Sequence, residues 1–378
     1  MRLLTPLMVL MGIICVNCAH TPKILHIGER IPTDTRIQID SISISADSTS
    51  MRGNFAFMDS SLIFVDNAYC KIFEFNINNG ELTQTYSGYG QGPNEMTGIM
   101  FGSVVHPSDT SMWIFDSSNG IYEFTPVNGK VKYKGKLDFL ATSGITDDLD
   151  SPACYGLMEM SDFGLSVNQI ADSVILIPLS LINRKVENVT SARYTDGRIL
   201  GKINPETLAV TGLEGRFPEI YKENPMPAFE FFDYTVDYDN SRIYVNHAPD
   251  PLIYCYDFNG NVVNSLGFEA EGIDRDYTKG YEPSFETFKK DIAHVGSNTG
   301  VYYDSSNGLL FRTSLANFPS GKSIMQIYKD NDLILEQEMP PYFKLLGKSG
   351  ASYYGVRFLP LDDGNNAKFT LYKLSLVS

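Results

Sequence analysis

The sequence predicts an all-β fold, a single six-bladed β-propeller closed by an N-terminal strand in the last blade. Three observations predict it. The composition favours short strands and turns, with 22 Tyr, 23 Phe, 31 Gly and 19 Pro against one Trp, and long helical patterns are nearly absent. One unit of strands and turns recurs every roughly 40 to 50 residues, the period of propeller blades. The last unit lacks an outer strand, which the alternating N-terminal segments can supply. A two-sheet sandwich, the alternative, fits a chain of 378 residues poorly.

The unit is a β-branched or aromatic strand ending in Asp or Asn, a polar turn, a second alternating strand, a Gly turn and a third strand. Its first copy reads Leu62 to Asp66, Lys71 to Phe75, Gly80 and Leu82 to Tyr86. The second is Met112 to Asp116, Gly120 to Phe124, Gly129 and Val131 to Lys136. A looser copy with an insertion follows at Val174 to Leu179, Arg198 to Ile203 and Leu208 to Thr211. The fourth is Arg242 to Asn246, Leu252 to Asp257, Gly260 and Val262 to Leu266. The fifth is Leu309 to Thr313, Ile324 to Tyr328 and Leu333 to Glu338; the sixth shows only Tyr354 to Leu359 and Phe369 to Leu376. Blades are thus expected over 50–95, 98–140, 155–213, 229–267, 292–339 and 341–376. Lys23 to Ile27 and Arg36 to Ile44 alternate as strands, and joining the chain ends in one blade removes two exposed edges. A short helix is expected over Ser284 to Ala293, after Pro283 and with Ser284 as its cap.

The chain begins as an exported one does. Arg2 precedes an apolar run from Leu3 to Ile14, and Cys15-Val-Asn-Cys18 ends it. The run is too short to span a hydrocarbon core of about 30 Å and suits a secretory leader. A cysteine in this place resembles the lipobox of bacterial lipoproteins, with Cys18 as the acylated residue and Asn17 where a small residue is usual. Residues 1–17 then form the signal peptide, 18–23 a lipidated linker and 24–378 the propeller. Plain secretion and an uncleaved anchor are the alternatives. The expected location is the bacterial cell envelope, lipid-anchored. No acidic cluster follows Cys18, so the periplasmic side is preferred over the cell surface.

Removing residues 1–17 takes away one positive charge, Arg2, so the formal charge of −15 becomes −16. That balance argues against nucleic acid, whose phosphates call for a basic surface. It also leaves membrane attachment to the acyl anchor rather than to charge. Cys70, Cys154 and Cys255 are too few and too scattered for a disulfide framework or a zinc site, and Cys70 and Cys255 read as small buried hydrophobes. A monomer is expected.

After the outer strand of the first blade comes Tyr86-Ser-Gly-Tyr-Gly-Gln-Gly-Pro-Asn-Glu95. This stretch resembles the Gly-rich loop of the TolB-like six-bladed propeller lipoproteins of Bacteroidetes, with Asn94 where Gly is commoner. The lipobox-like start and Gly215-Arg-Phe-Pro218 are similar to that family too. The resemblance covers the mature chain and implies a fold and an envelope location. The family has no settled activity, so it implies no catalytic residue.

Connections from second to third strands, and from each outer strand to the next blade, emerge on one propeller face. That face receives the long insertions 88–97, 140–151, 214–228 and 267–291, which makes it the candidate binding face. It also collects the strand-end residues Asp66, Asn67, Asp116, Asn246 and His247, with Arg312 more loosely. The candidate site is the loop Gly88, Gly90, Gly92 and Glu95 together with Asp66, Asp116, Asn246, His247 and Arg312 around the axial mouth. Glycines let backbone amides approach a ligand, and Arg312 could clamp a carboxylate or sulfate. Asp66 and Asp116 are read first as turn caps and second as oxygen ligands for Ca²⁺. No cofactor is expected beyond that cation.

Other apparent motifs fail. Gly88-x-Gly90-x-Gly92 is followed by Pro93 and no βαβ unit, so it is no dinucleotide fingerprint, and its glycines are expected to take positive φ. Ser320-Gly-Lys-Ser323 lacks the first P-loop glycine, and an alternating strand follows it. His20, His26, His106, His247 and His294 are scattered. The functional expectation is a non-enzymatic binding or scaffold propeller for a protein, peptide or glycan. The alternative is a lactonase-like, metal-dependent hydrolase or lyase, which would need an axial metal shell.

Overall fold

The computed structural model describes residues 25–45, 49–50, 52–58, 61–97, 100–105, 111–139, 148–158, 167–171, 173–181, 191–280, 285–357 and 368–377. The leader, the linker with Cys18, His20, His106 and Ser284 lie outside the described residues. So does most of the 140–151 insertion.

Six antiparallel sheets follow one another along the chain. The first blade, from axis to rim, is Gly53–Met58, Ser61–Asp66, Lys71–Asn76 and Leu82–Ser87. The inner strand Gly53–Met58 packs against both Met100–Val105 of the second blade and Phe343–Ser349 of the sixth, so the ring is closed. Second strands such as Met112–Asp116 are buried on both sides, because each blade is covered by a neighbour on either face. Their sequence therefore runs apolar throughout instead of alternating. Outer strands meet water, and Leu82–Ser87 is accordingly rich in Thr and Gln.

The cores lie between blades. Ile63, Val65 and Ile72 meet Ile114, Tyr122 and Phe124 between blades one and two. Phe64, Phe73 and Phe75 meet Tyr354, Val356 and Phe369 between blades one and six, with Phe64 and Phe369 ring centroids 4.8 Å apart. Each buried Phe contributes about 1.5–3 kcal/mol, so this seam joins N-terminal and C-terminal sequence through apolar area alone.

A hydrogen-bonded ladder adds to it. Arg36–Ser45 is the outer strand of blade six, pairing with Lys368–Val377 from Arg36↔Val377 to Ser45↔Lys368. The other N-terminal segment goes elsewhere. The described part of Lys23 to Ile27 does not join the last blade: His26 bridges Ser265 on the outer strand of blade four, and Arg30 bridges Leu333 on that of blade five. Those rims present unpaired backbone groups, and the strap satisfies four of them.

The third blade departs most from its repeat. Its inner strand is split into Tyr155–Leu157 and Asn168–Ala171, which pair with the two halves of Val174–Leu181. Its outer strand begins at Val210 and not at Leu208. Leu208 has φ 60 and closes the turn from Asn204, so it cannot extend the strand. The short helix appears as Phe285–Ile292. Cys70, Cys154 and Cys255 are buried and not in disulfides, and burial first of all pushes Cys70 and Cys255 up to about 11.

Candidate functional site

The described insertions on the loop-rich face pack onto the core between blades three and four. Helix Ser191–Asp196 belongs to blade three; Glu219–Glu223 and Phe285–Ile292 lie in the connections into blades four and five. Tyr194 stacks on Tyr221 at 5.6 Å, and Phe217 meets both edge-on at 5.3 and 5.2 Å. Phe229 packs on Tyr277 at 4.6 Å and on Phe288 at 5.6 Å. The Tyr194 hydroxyl donates to Glu230 at 2.7 Å, and Arg193 forms an ion pair with the same carboxylate. Burial raises the Glu230 carboxyl, and Arg193 opposes that shift. The face is therefore a packed platform rather than a set of loose loops.

Asp66 is fully buried and accepts five hydrogen bonds: from Thr49 Oγ1 at 2.8 Å, Ser50 N at 2.6 Å, Ser50 Oγ at 2.6 Å, Ala68 N at 3.0 Å and Tyr69 N at 2.8 Å. Asp116 accepts from Ser118 N at 2.7 Å and Gly120 N at 2.8 Å. Both carboxylates shape the turns they begin, as the first reading of strand-end acids has it. Both also act on Cys70, whose thiol their charges help to raise after burial.

The Gly88–Glu95 loop closes on itself. The Glu95 carboxylate accepts from Gly92 N at 2.6 Å, Gly90 N donates to Met96 O and Met96 N to Gly88 O. None of the three glycines takes the expected left-handed φ; Ser87 at 61° and Asn94 at 67° do. Two instead lie against the Glu95 carboxylate. A Cβ on Gly90 would lie 2.0 Å from Glu95 Oε2, and one on Gly92 2.9 Å from it.

Asn246 donates through Nδ2 to Gly300 O at 3.3 Å, while its Oδ1 has no partner. His247 is fully buried with both ring nitrogens unpartnered. Phe232 at 5.3 Å, Tyr221 at 5.6 Å, Tyr254 at 6.1 Å and Phe217 at 6.4 Å surround it. Burial pushes its pKa down to about 3. Arg312 sits in the middle of Leu309–Leu315, turned toward blade four. Its Nη1 donates to Pro251 O at 2.5 Å, its Nε to Gln326 Oε1 at 2.8 Å and its Nη2 to Phe268 O. Among the described residues no hydrogen bond or ion pair joins Asp66, Asp116, Asn246 and Arg312 to one another; each is engaged in its own blade or the next interface.

Pattern reading missed a polar hub behind this face. Asn298 donates to His247 O at 2.8 Å and Asp250 O at 2.6 Å, and accepts from Ser314 Oγ at 2.9 Å and Arg275 Nη2 at 3.1 Å. Arg275 also reaches Ala248 O at 3.0 Å and pairs with Glu269 at 2.7 Å. The hub ties the 267–296 connection to blades four and five. Arg275 lies in the irregular stretch Ile273-Asp-Arg-Asp-Tyr277, where no periodicity marks it. Among the described residues no group of three His, Cys, Asp or Glu is placed to hold a metal ion.

No protein-family model and no curated protein matches the chain. Solved structures do. A member of the DUF4221 family from Bacteroides vulgatus superposes with a TM-score of 0.65 at 13% identity, covering 91% of this chain and 99% of that one. A protein of Bacteroides fragilis, named as a candidate for export, superposes at 0.51 and 13% identity, over 91% and 98% of the two chains. At such identity the likeness carries the fold. No helix among the described residues is long and apolar enough to cross a membrane.

Proposed function

We propose that this chain is a non-enzymatic binding or scaffold propeller of the bacterial cell envelope, TolB-like, monomeric and held to the bilayer by an acyl group on Cys18. It recognises a protein, peptide or glycan through its loop-rich face. One observation carries the reading. Among the described residues, four of the six exposed aromatic side chains, Tyr69, Tyr89, Phe285 and Phe318, lie on connections of that face. Exposed aromatics on a rigid platform give large contact area at low entropic cost. The strand-end acids support binding over metal chemistry, since Asp66 Oδ1 and Asp116 Oδ1 cap turns and Asp66 Oδ2 accepts from Thr49 and Ser50. The leader and the export-marked name of the Bacteroides fragilis neighbour support the envelope location.

The test uses the full chain in detergent on peptide and glycan arrays, beside a variant carrying Tyr69→Ala, Tyr89→Ala, Phe285→Ala and Phe318→Ala. A ligand class that binds wild type and is weakened at least about tenfold, or about 1.4 kcal/mol, in the variant is expected. A ligand retained in full would sink the assignment to this face. A stoichiometric cation lost on Asp66→Ala and Asp116→Ala would favour the hydrolase. Detergent partitioning of Cys18→Ala tests the anchor; an unchanged membrane fraction refutes it.

A further inference from the structure

The opposite face, where the tight turns emerge, holds a cleft of about 210 Å³ between blades four and five. An apolar cavity of about 150 Å³ holds a benzene ring, so the cleft has room for one six-membered ring. Tyr244 of blade four and Tyr303 of blade five pack on each other, ring centroids 5.5 Å apart, and form one aromatic wall of it. Tyr328 lies deeper, its hydroxyl donating to Gln326 Oε1 at 2.8 Å. The mouth is formed by the turn residues Asn240, Gly308, Asp330 and Asn331.

The polar groups divide into used and unused. The Asp237 carboxylate is used: it accepts Asn240 N at 3.1 Å and Nδ2 at 2.8 Å. Among the described residues, the Tyr244 hydroxyl, the Asp330 carboxylate, the Asn331 amide and the Asn240 amide oxygen have no hydrogen-bond partner. They offer donors and acceptors in mixture beside an aromatic wall. No lysine or arginine lines the cleft, which disfavours an anion. The carboxylates of the cleft are Asp237, which is buried, held by Asn240 and opposite Arg242 in the blade-four ladder, and Asp330 at the exposed rim. A neutral ring bearing several hydroxyls matches both the wall and the mixed polar set.

We propose that this cleft is a carbohydrate subsite that takes one neutral pyranose unit. It is a separate site from the loop-rich face and does not depend on what that face binds. Contacts to a single ring give weak affinity, with Kd on the order of 1 mM.

The test is saturation-transfer NMR on the full chain in detergent, with methyl glycopyranosides of several neutral hexoses as probes and choline as the cationic comparison. Two variants address the cleft. Tyr244→Ala removes part of the aromatic wall. Gly308→Asn fills the mouth, because a Cβ there meets no atom within 4 Å and asparagine tolerates the φ of 64°. Phe285→Ala on the loop-rich face is the control. Saturable binding of a glycoside, weakened at least about tenfold by Gly308→Asn at unchanged thermal midpoint and untouched by Phe285→Ala, is expected. Glycoside binding lost in Phe285→Ala but intact in Gly308→Asn would overturn the cleft while sparing the loop-face reading. Choline binding in place of the sugars, or no saturable probe at all, would overturn it too.

Discussion

Arg312→Ala should unlatch blades four and five. The guanidinium is fully buried, and its donors go to Pro251 O, Phe268 O and Gln326 Oε1, with the Tyr328 ring 5.8 Å away. Among the described residues no carboxylate forms an ion pair with it. Burial lowers its pKa, yet an arginine remains protonated at neutral pH. Truncation leaves Pro251 O without this donor, at about 1–3 kcal/mol, while Gln326 Oε1 keeps the Tyr328 hydroxyl and Phe268 O keeps Gln326 Nε2, and it opens a cavity. Relief of the desolvated charge offsets part of that. The net loss should be about 4 kcal/mol, as when one side of a buried charged network is removed. Arg312→Met keeps most of the volume and should lose about 2 kcal/mol, since Pro251 O still lacks its donor. Combining Arg312→Met with Gln326→Leu should cost about 1 kcal/mol less than the two changes summed. Urea midpoints at constant m-value measure all three. A methionine variant as stable as wild type would refute the reasoning, because desolvation would then outweigh every bond the guanidinium makes.

His247→Phe should stabilise the protein by about 1–2 kcal/mol at pH 7.5, by removing a buried ring whose nitrogens have no partners. Because burial holds His247 near pH 3, the unfolded chain takes up the proton first as pH falls; wild-type stability should drop by up to about 1.4 kcal/mol per pH unit from about 6.5 downward, and the variant should lose that slope in thermal melts. Gly120→Ala should cost about 2 kcal/mol, since its Cβ would meet the turn-locked Asp116 Oδ2 at 2.4 Å. Gly90→Ala should cost under about 1 kcal/mol, because the exposed Glu95 side chain can swing away, and limited proteolysis should then find the loop opened. Deleting residues 25–35 should cost about 2 kcal/mol, from four backbone bonds less the entropy of ordering the strap, whereas deletion through Ser45 should abolish the cooperative thermal transition.

The blades were legible because their chemistry is local. Met112–Asp116 and Gly120–Thr125 carry apolar runs and a Gly turn that a neighbour on either side needs, and Gly260 at φ 78 marks its hairpin as the repeat predicts. Closure was legible because blade six lacked a fourth strand and Arg36–Ser45 alternates. The strap was misjudged in its described part, since Leu25 to Ile27 alternate like strand residues while their destination depends on which rim lies nearest. The site was less legible for a related reason. Asp66 and Asp116 look alike as caps or ligands in sequence, and only the donors around them decide. Arg312 reads as a residue near a strand end, but its side chain crosses an interface whose other half, Pro251 and Phe268, is about 40 to 60 residues away. Tyr244 and Tyr303 likewise meet only through the packing of one blade on the next.

The strap also fixes how an anchored molecule would stand. Leu25 O accepts from Ser265 N at 2.9 Å, so the chain joins the ring at the rim of blade four. From Cys18 to Leu25 an extended chain reaches at most about 25 Å, at about 3.3–3.6 Å per residue. An acyl group on Cys18 would therefore hold the blade-four rim beside the bilayer, with no need for a basic surface on a chain whose formal charge of −15 becomes −16 once Arg2 is removed. A ring tethered at its rim can stand edge-on to the membrane. Its loop-rich face and its tight-turn face then both look along the bilayer and stay open to ligands. A tether on either face would instead have covered one of them.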